Sequence, residues 1–250
     1  MDALIGHTGF VGSNLATQHG FHAHFNSTTI EAIQGRRFAT IVMAGAQGKK
    51  WWANQNPEAD RAGIARALAC LETVQAAHVV LISTIDVLPL IPGADETHDP
   101  TNDPNHPYGR NRLWLEHEIA QRFETTIVRL PGLHGPGLRK NILFDLANNN
   151  QVDRIDPASR FQFYDLTRLW ADITTMREAG LPLAHLVPAP LPTSDIAARL
   201  FPAATLGPIP KEGSATYDFR TRHAALFGGQ GGYLYGPAEA MARITAWARA

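Results

Sequence analysis

Within the first thirteen residues an apolar run, Ala3-Leu4-Ile5, leads straight into three glycines spaced by three, Gly6, Gly9 and Gly12. A helical pattern through Phe10, Val11 and Leu15 follows. Glycine serves where a backbone must turn sharply or approach a ligand closely, because a Cβ would obstruct it. A helix that starts in such a turn aims unpaired N–H groups and its positive dipole end at whatever lies above, which favours a pyrophosphate. Strand, glycine turn and helix in that order form a dinucleotide-binding fingerprint. A plain tight turn is the alternative reading of the triplet, and its place at the head of an α/β pattern argues against it.

That pattern continues along the chain. Short apolar runs at 3–5, 40–44, 78–83, 125–130 and 184–187, with a weaker one at 20–25, read as strands. Between them, 60–75 carries Ile64, Leu68, Leu71 and Val74 on one helical face, and 113–123 and 166–179 are similarly periodic. Strands alternating with helices predict a parallel sheet wrapped on both faces. The stretch from Phe25 to Thr40 has room for one small helix (29–34) but not for a helix, a strand and a second helix. The sheet is therefore expected to lack the outer strand that usually follows the second.

Composition narrows the function. The chain has 250 residues and a formal charge of −1, so nothing electrostatic points to nucleic acid or an anionic membrane. A single cysteine, Cys70, excludes an intrachain disulfide and suits a reducing cytoplasm. No leader pattern and no membrane-spanning apolar stretch is expected. Prolines cluster after residue 88 and mark loops or an irregular cap. Eleven histidines, among them His22, His24, His98, His106 and His117, show no zinc spacing with a third ligand, so no metal site is expected.

Four segments in order resemble the extended short-chain dehydrogenase/reductase superfamily, its NAD(P)-dependent epimerase/dehydratase group. They are Gly6-His-Thr-Gly9-Phe-Val-Gly12, then Leu81-Ile-Ser-Thr84-Ile-Asp-Val87, then His106-Pro-Tyr108-Gly-Arg-Asn-Arg112, then Val128-Arg-Leu-Pro-Gly-Leu-His-Gly135-Pro-Gly137. Phe161-Gln-Phe-Tyr-Asp-Leu166 is similar to the family's strand returning from the small domain, and the match covers about residues 1–190. The resemblance implies a Rossmann-type doubly wound parallel sheet (1–136 and 164–190) with a small C-terminal substrate cap (137–163 and 191–250). It gives Tyr108 the proton-transfer role and Thr84 the orienting role. Arg112 stands where the family has lysine; it keeps a positive charge near the phenol but cannot readily enter a proton relay.

By the same resemblance the cofactor is held by Gly6, His7, Thr8, Gly9, Phe10, Val11 and Gly12, then by Ala44, Gly45 and Ala46. Tyr108 and Arg112 join them, with Leu130, Pro131, Gly132 and Leu133 on the nicotinamide side. The second run ends in Phe25-Asn26-Ser27-Thr28 without the carboxylate that reads a ribose 2′-OH. Asn26, Ser27 and Thr28 can accept a 2′-phosphate, with Arg36 or Arg37 in reach, which favours NADP(H) over NAD(H). Substrate candidates are Lys49, Trp51, Trp52, Thr84, Asp86, His134, Arg139, Asn141, Arg220 and Arg222, chosen for stacking and anion recognition.

Two functions are expected to compete. One is an NAD(P)-dependent oxidoreductase or epimerase working on a sugar-like or nucleotide-sugar hydroxyl or carbonyl, a dehydratase being disfavoured because Ile85-Asp86 supplies only one acid. The other is a non-catalytic NAD(P)-binding sensor, suggested by Arg112 and the reduced cap. A homodimer through helices at 60–75 and 108–123 is implied by the family alone.

Overall fold

Strands and helices interleave along the computed structural model, which describes residues 1–250. In chain order the elements are β1 (Asp2–Ile5), α1 (Phe10–Gln18), β2 (Ala23–Phe25), β3 (Arg37–Met43), α2 (Lys50–Gln55), α3 (Pro57–Cys70) and β4 (Gln75–Thr84). Then come α4 (Pro107–Arg122), β5 (Thr125–Leu130), β6 (Gly132–His134), α5 (Ile142–Ala147), β7 (Arg160–Phe161) and β8 (Phe163–Asp165). The last are α6 (Leu169–Glu178), β9 (Leu183–His185), β10 (Leu191–Pro192), α7 (Thr193–Leu200) and α8 (Pro237–Ala248). None of these helices is long and apolar enough to cross a membrane.

Six strands form the main sheet in the order β2-β1-β3-β4-β5-β9. Register explains why continuous apolar runs suit it. Ala3, Ile41 and Val79 stand side by side, as do Ile5, Met43 and Leu81, and all six join one core with Ile64 and Leu68 of α3 and Leu115 and Ile119 of α4. The intervening row, Leu4, Val42 and Val80, is equally buried on the opposite face. A strand covered on both faces has no position left for a polar alternation. Residues 26–36 hold only the 3-10 turn Ile30–Ile33, so β2 is the sheet's edge and no further strand lies beyond it.

Helix bounds differ from the expectation: α4 starts six residues before Leu113, the small helix at 29–34 is a 3-10 turn, and α3 departs most clearly. The periodicity at 60–75 predicts a helix to Gln75, whereas α3 starts at Pro57 and stops at Cys70. Leu71 and Val74 are buried, yet they sit in a turn after the helix, in which the Val74 N–H donates to the Leu71 carbonyl. Thr73 Oγ1 there accepts the Gly35 N–H at 2.9 Å, and the Gln75 N–H pairs with the Arg36 carbonyl to open β4. Sheet pairing overrides a helical pattern that both conformations satisfy.

The chain divides into two compact units. The first comprises residues 1–89, 99–129 and 167–184, and the second residues 90–98, 130–166 and 185–250. The second unit holds two small sheets, the parallel pair β6-β8 and the antiparallel pair β7-β10. It is knitted by polar side chains, Gln162 fully buried and Glu96 half-buried. Gln162 donates to the Pro188 and Phe219 carbonyls and accepts the Phe219 N–H. Glu96, from the acidic turn Asp95-Glu96, accepts the His185 and Arg222 N–H groups and the Thr221 hydroxyl. Such groups are stable inside a fold because each finds its partner.

Candidate active site

The glycine turn separates into packing and open positions. Gly6 has φ +90°, and a Cβ there would lie 2.5 Å from the Ala44 carbonyl oxygen. A Cβ on Gly12 would fall 2.1 Å from the Gly6 oxygen, inside the turn itself. These two glycines let β1, the end of β3 and α1 close on one another. Gly9 is different: it is exposed, and the one atom near its Cβ position is the Gly6 oxygen at 3.3 Å. Gly9 is also the N-cap of α1, and no side chain caps that helix. An uncapped helix end beneath a bare backbone suits a pyrophosphate, so the residues present fit a dinucleotide.

Around the turn, Thr8 is exposed and His7, Phe10 and Val11 are half-buried. The Phe25 carbonyl accepts the Gly6 N–H and contacts His7 Nδ1 at 3.0 Å, which ties the turn to the end of β2. Next, Asn26 Oδ1 accepts the Thr28 N–H at 2.9 Å and the Thr28 hydroxyl at 2.7 Å, closing an Asx turn. Ser27 and Thr28 are exposed there. Arg36 lies over the rings of Phe25 and Phe38, 5.3 and 5.2 Å from their centroids. Ala44, Gly45 and Ala46 follow β3, and Gly45 approaches Ile5, where a Cβ would stand 3.1 Å from Ile5 Cγ2.

Tyr108 opens α4. Pro107 fits the first helical position, where no N–H is missed, and His106 caps the helix by accepting the Gly109 N–H on Nδ1. The Tyr108 N–H is taken by Asn54 Oδ1 of α2 at 3.0 Å. Gly109 brings the helix against the 3-10 turn Ile85–Val87, since a Cβ would meet the Asp86 carbonyl oxygen at 2.2 Å. Thr84 ends β4 and caps that turn, its hydroxyl accepting the Asp86 N–H at 3.1 Å. Asp86 pairs with Lys50 Nζ at 2.7 Å. His106 and Gly109 belong to the Tyr108 segment itself, whereas Lys50 and Asn54 reach the cluster from α2 and carry no local sequence signal.

Arg112 is committed. Only 3% exposed, it holds Asp60 of α3 through Nη1 at 2.6 Å and Nη2 at 3.0 Å, and it donates to the Gln47 carbonyl. Its guanidinium carbon stands 4.3 Å from the centre of the Tyr108 ring. Burial pushes the Tyr108 phenol above its ordinary pKa of 10.0, and the Arg112 charge opposes that. One turn further along α4, Glu116 accepts the Ser83 hydroxyl and pairs with Arg129 at 2.6 Å. Positions 108, 112 and 116 therefore form one buried polar stripe.

The remaining candidates are scattered by comparison. In the first unit, Trp52 is half-buried and Lys49 and Trp51 are exposed. In the second, Leu130 ends β5, Pro131 and Leu133 are half-buried, and a Cβ on Gly132 would strike the Gln162 carbonyl oxygen at 2.8 Å. Asn141 caps α5 and donates to the Leu133 carbonyl at 2.8 Å, with φ +99°. Arg139 and Arg222 are exposed. Arg220 pairs with Asp218 at 3.2 Å and covers the Tyr233 ring at 4.3 Å. His134 is 1% exposed, and neither ring nitrogen has a hydrogen-bond partner.

No family model and no curated protein matches the sequence. Solved structures match the fold along nearly the full length. MoeE5 in complex with UDP-glucose and NAD gives a TM-score of 0.73 at 16% identity, covering 99% of this chain and 98% of that one. A double mutant of DesIV, a dTDP-glucose 4,6-dehydratase from Streptomyces venezuelae with NAD and DAU bound, gives 0.75 at 14%, covering 100% and 97%. The dTDP-4-dehydrorhamnose reductase from Bacillus anthracis in complex with NADP gives 0.75 at 16%, covering 98% and 96%. At these identities the likeness establishes the fold, a Rossmann-type α/β architecture shared with NAD- and NADP-bound enzymes of sugar-nucleotide chemistry.

Proposed function

We propose that this chain is a nicotinamide-dependent oxidoreductase or epimerase of the short-chain dehydrogenase/reductase kind, acting on a hydroxyl or carbonyl of a sugar or nucleotide sugar. The observation that carries the reading is the pairing of an open Gly9 turn at the uncapped start of α1 with Tyr108 fixed beside the Thr84 end of β4. Gly6, Thr8, Gly9, Phe10, Val11 and Gly12 would hold the dinucleotide; when bound, its nicotinamide supplies or accepts the hydride. The neighbours with NAD or NADP and with UDP-glucose support this cofactor and substrate class.

Within that reading, the Tyr108 hydroxyl gives a proton to the substrate oxygen in reduction and takes one in oxidation. Thr84 accepts one bond from the Asp86 N–H, which leaves its O–H to donate to the same substrate oxygen. Ser27 and Thr28, with no carboxylate beside them, favour NADP(H) over NAD(H). Tyr108→Phe tests the assignment: turnover falls about a thousandfold, the range for general acid–base catalysis, while dinucleotide affinity is retained. Full turnover by the variant overturns it.

The sensor reading has one observation in its favour. Arg112 is locked on Asp60 beside a buried phenol whose pKa is raised. Tight dinucleotide binding, with no turnover on any sugar-nucleotide carbonyl tried, would select it.

A further inference from the structure

A helix N-cap usually accepts its hydrogen bond on a hydroxyl, amide or carboxylate oxygen. The helix that carries Tyr108 uses an imidazole instead. His106 has extended backbone angles, φ −70° and ψ 158°, and its Nδ1 accepts the Gly109 N–H at 3.0 Å. A backbone N–H can only donate, so Nδ1 holds a lone pair and the ring is neutral, with its proton on Nε2. An imidazolium carries a proton on both nitrogens and accepts nothing. Gly109 is buried, so its N–H would lose that acceptor away from water. Two side-chain acceptors hold the first turn of α4: Asn54 Oδ1 takes the Tyr108 N–H and His106 takes the next one. Only the second can titrate. Its bond lies where α4 meets the turn after β4, since a Cβ on Gly109 would stand 2.2 Å from the Asp86 carbonyl oxygen. Asn105 closes the same junction, accepting the His106 N–H at 2.7 Å and donating to the Asp86 and Val87 carbonyls, each at 2.9 Å.

We propose that His106 is a positioning residue: its neutral imidazole holds the first turn of α4, and Tyr108 with it, against the end of β4, and its protonation releases that turn. This role rests on the reading of Tyr108 as the acid/base. Protonation acts twice, stripping the cap from Gly109 and setting a positive charge at the positive end of the helix dipole. The charged and titratable groups around the ring are Lys50 on α2, Asp86 on the turn after β4 and Arg110 on α4 itself, with the Tyr108 ring centre 6.1 Å away. Burial and then Lys50 disfavour the imidazolium, while Asp86, paired with Lys50 at 2.7 Å, favours it; the net direction is below the ordinary 6.5. The fold therefore keeps the ring neutral and the cap closed near neutral pH, and gives up both as pH falls. An asparagine in the same place would cap Gly109 at every pH, which separates a titrating position from a merely structural one.

The cap can be followed without any substrate. Amide hydrogen exchange read by NMR, expressed as protection over the unfolded-chain rate, is measured at Tyr108 and Gly109 between about pH 7.5 and about pH 5. Val79, whose N–H pairs with the Glu124 carbonyl in the sheet, reports opening of the whole fold. On acidification, protection at Tyr108 and Gly109 should fall about tenfold further in the parent than in His106→Asn, while Val79 behaves alike in the two chains. His106→Ala should leave both amides weakly protected across the range. Equal pH profiles in the parent and His106→Asn overturn the proposal, as does a difference that appears equally at Val79. A fall at Gly109 with Tyr108 unmoved overturns it too, because the cap would then titrate without positioning the tyrosine. Full turnover by Tyr108→Phe would sink the catalytic reading and leave these exchange profiles as they are, so the two failures are distinguishable.

Discussion

At the scale of single residues, His134 is the most exposed to a change of conditions although it is among the least exposed to water. Burial holds its imidazole neutral and pushes the pKa down to about 4; Asp165 nearby opposes the shift and Arg243 adds to it. In the unfolded chain the same ring titrates near 6.5. Between those values the unfolded chain takes up a proton that the native fold refuses. Stability from this residue is therefore full above pH 6.5 and is lost as pH falls toward 4, by about 3 kcal/mol at the low end. Urea midpoints at neutral and mildly acid pH, compared between the parent and His134→Phe, check the expectation. The variant's midpoint should fall less on acidification, and equal falls would refute it. The position was readable in the sequence as a candidate substrate contact. Its missing partners were not, because they depend on how β6, β8 and α8 enclose the ring.

At the scale of elements, the glycine turn and α4 show where local spacing carries information and where it stops. A Cβ on Gly9 would stand 3.3 Å from the Gly6 oxygen, a tight contact that a small shift relieves, and a Cβ on Gly12 only 2.1 Å from it, so the two should respond differently to one added methyl. Gly9→Ala is expected to fold with stability within about 1 kcal/mol of the parent and to lose dinucleotide affinity at least about tenfold. Gly12→Ala should instead destabilise by about 1–3 kcal/mol as the clash forces the helix off the turn. Calorimetric titration paired with chemical denaturation separates the outcomes; equal loss of stability in both variants would refute the division. On α4, spacing alone located Tyr108 and Arg112. It could not reveal Asp60, 52 residues earlier on another helix, nor the pairing of Glu116 with Arg129, because a buried partner is chosen by packing and not by sequence distance. Arg112→Met should cost about 3–5 kcal/mol by leaving Asp60 buried and unpaired, and adding Asp60→Leu should recover most of it. A double variant no more stable than the single one would show that the pair itself, not the orphaned charge, holds α3 to α4.

At the scale of the whole molecule, the fold was readable because a parallel sheet demands what a sequence displays openly: apolar strands, periodic helices and a glycine turn at the start. Even the short edge followed from the count of residues between Phe25 and Thr40. Two things were hidden, the end of α3, where sheet and helix want the same apolar residues, and the attachment of residues 90–98 to the second unit, made through backbone and Glu96 bonds with no sequence signature. The proposed function has a consequence at this scale. A ligand that binds only the native chain stabilises it by about 2.7 kcal/mol at a hundredfold excess over its Kd, whichever unit provides the contacts. For a chain of this length each kcal/mol moves the unfolding midpoint by about 2–4 °C, so NADPH at that excess should raise Tm by about 5–10 °C. NADH at the same concentration should raise it less if Ser27 and Thr28 receive the 2′-phosphate, and Gly9→Ala should cut both shifts, to about half for a tenfold loss of affinity. Equal shifts with the two dinucleotides would remove the preference for NADP(H) and leave the oxidoreductase reading standing. No shift with either would remove that reading too, since the glycine turn after β1 would then serve folding alone.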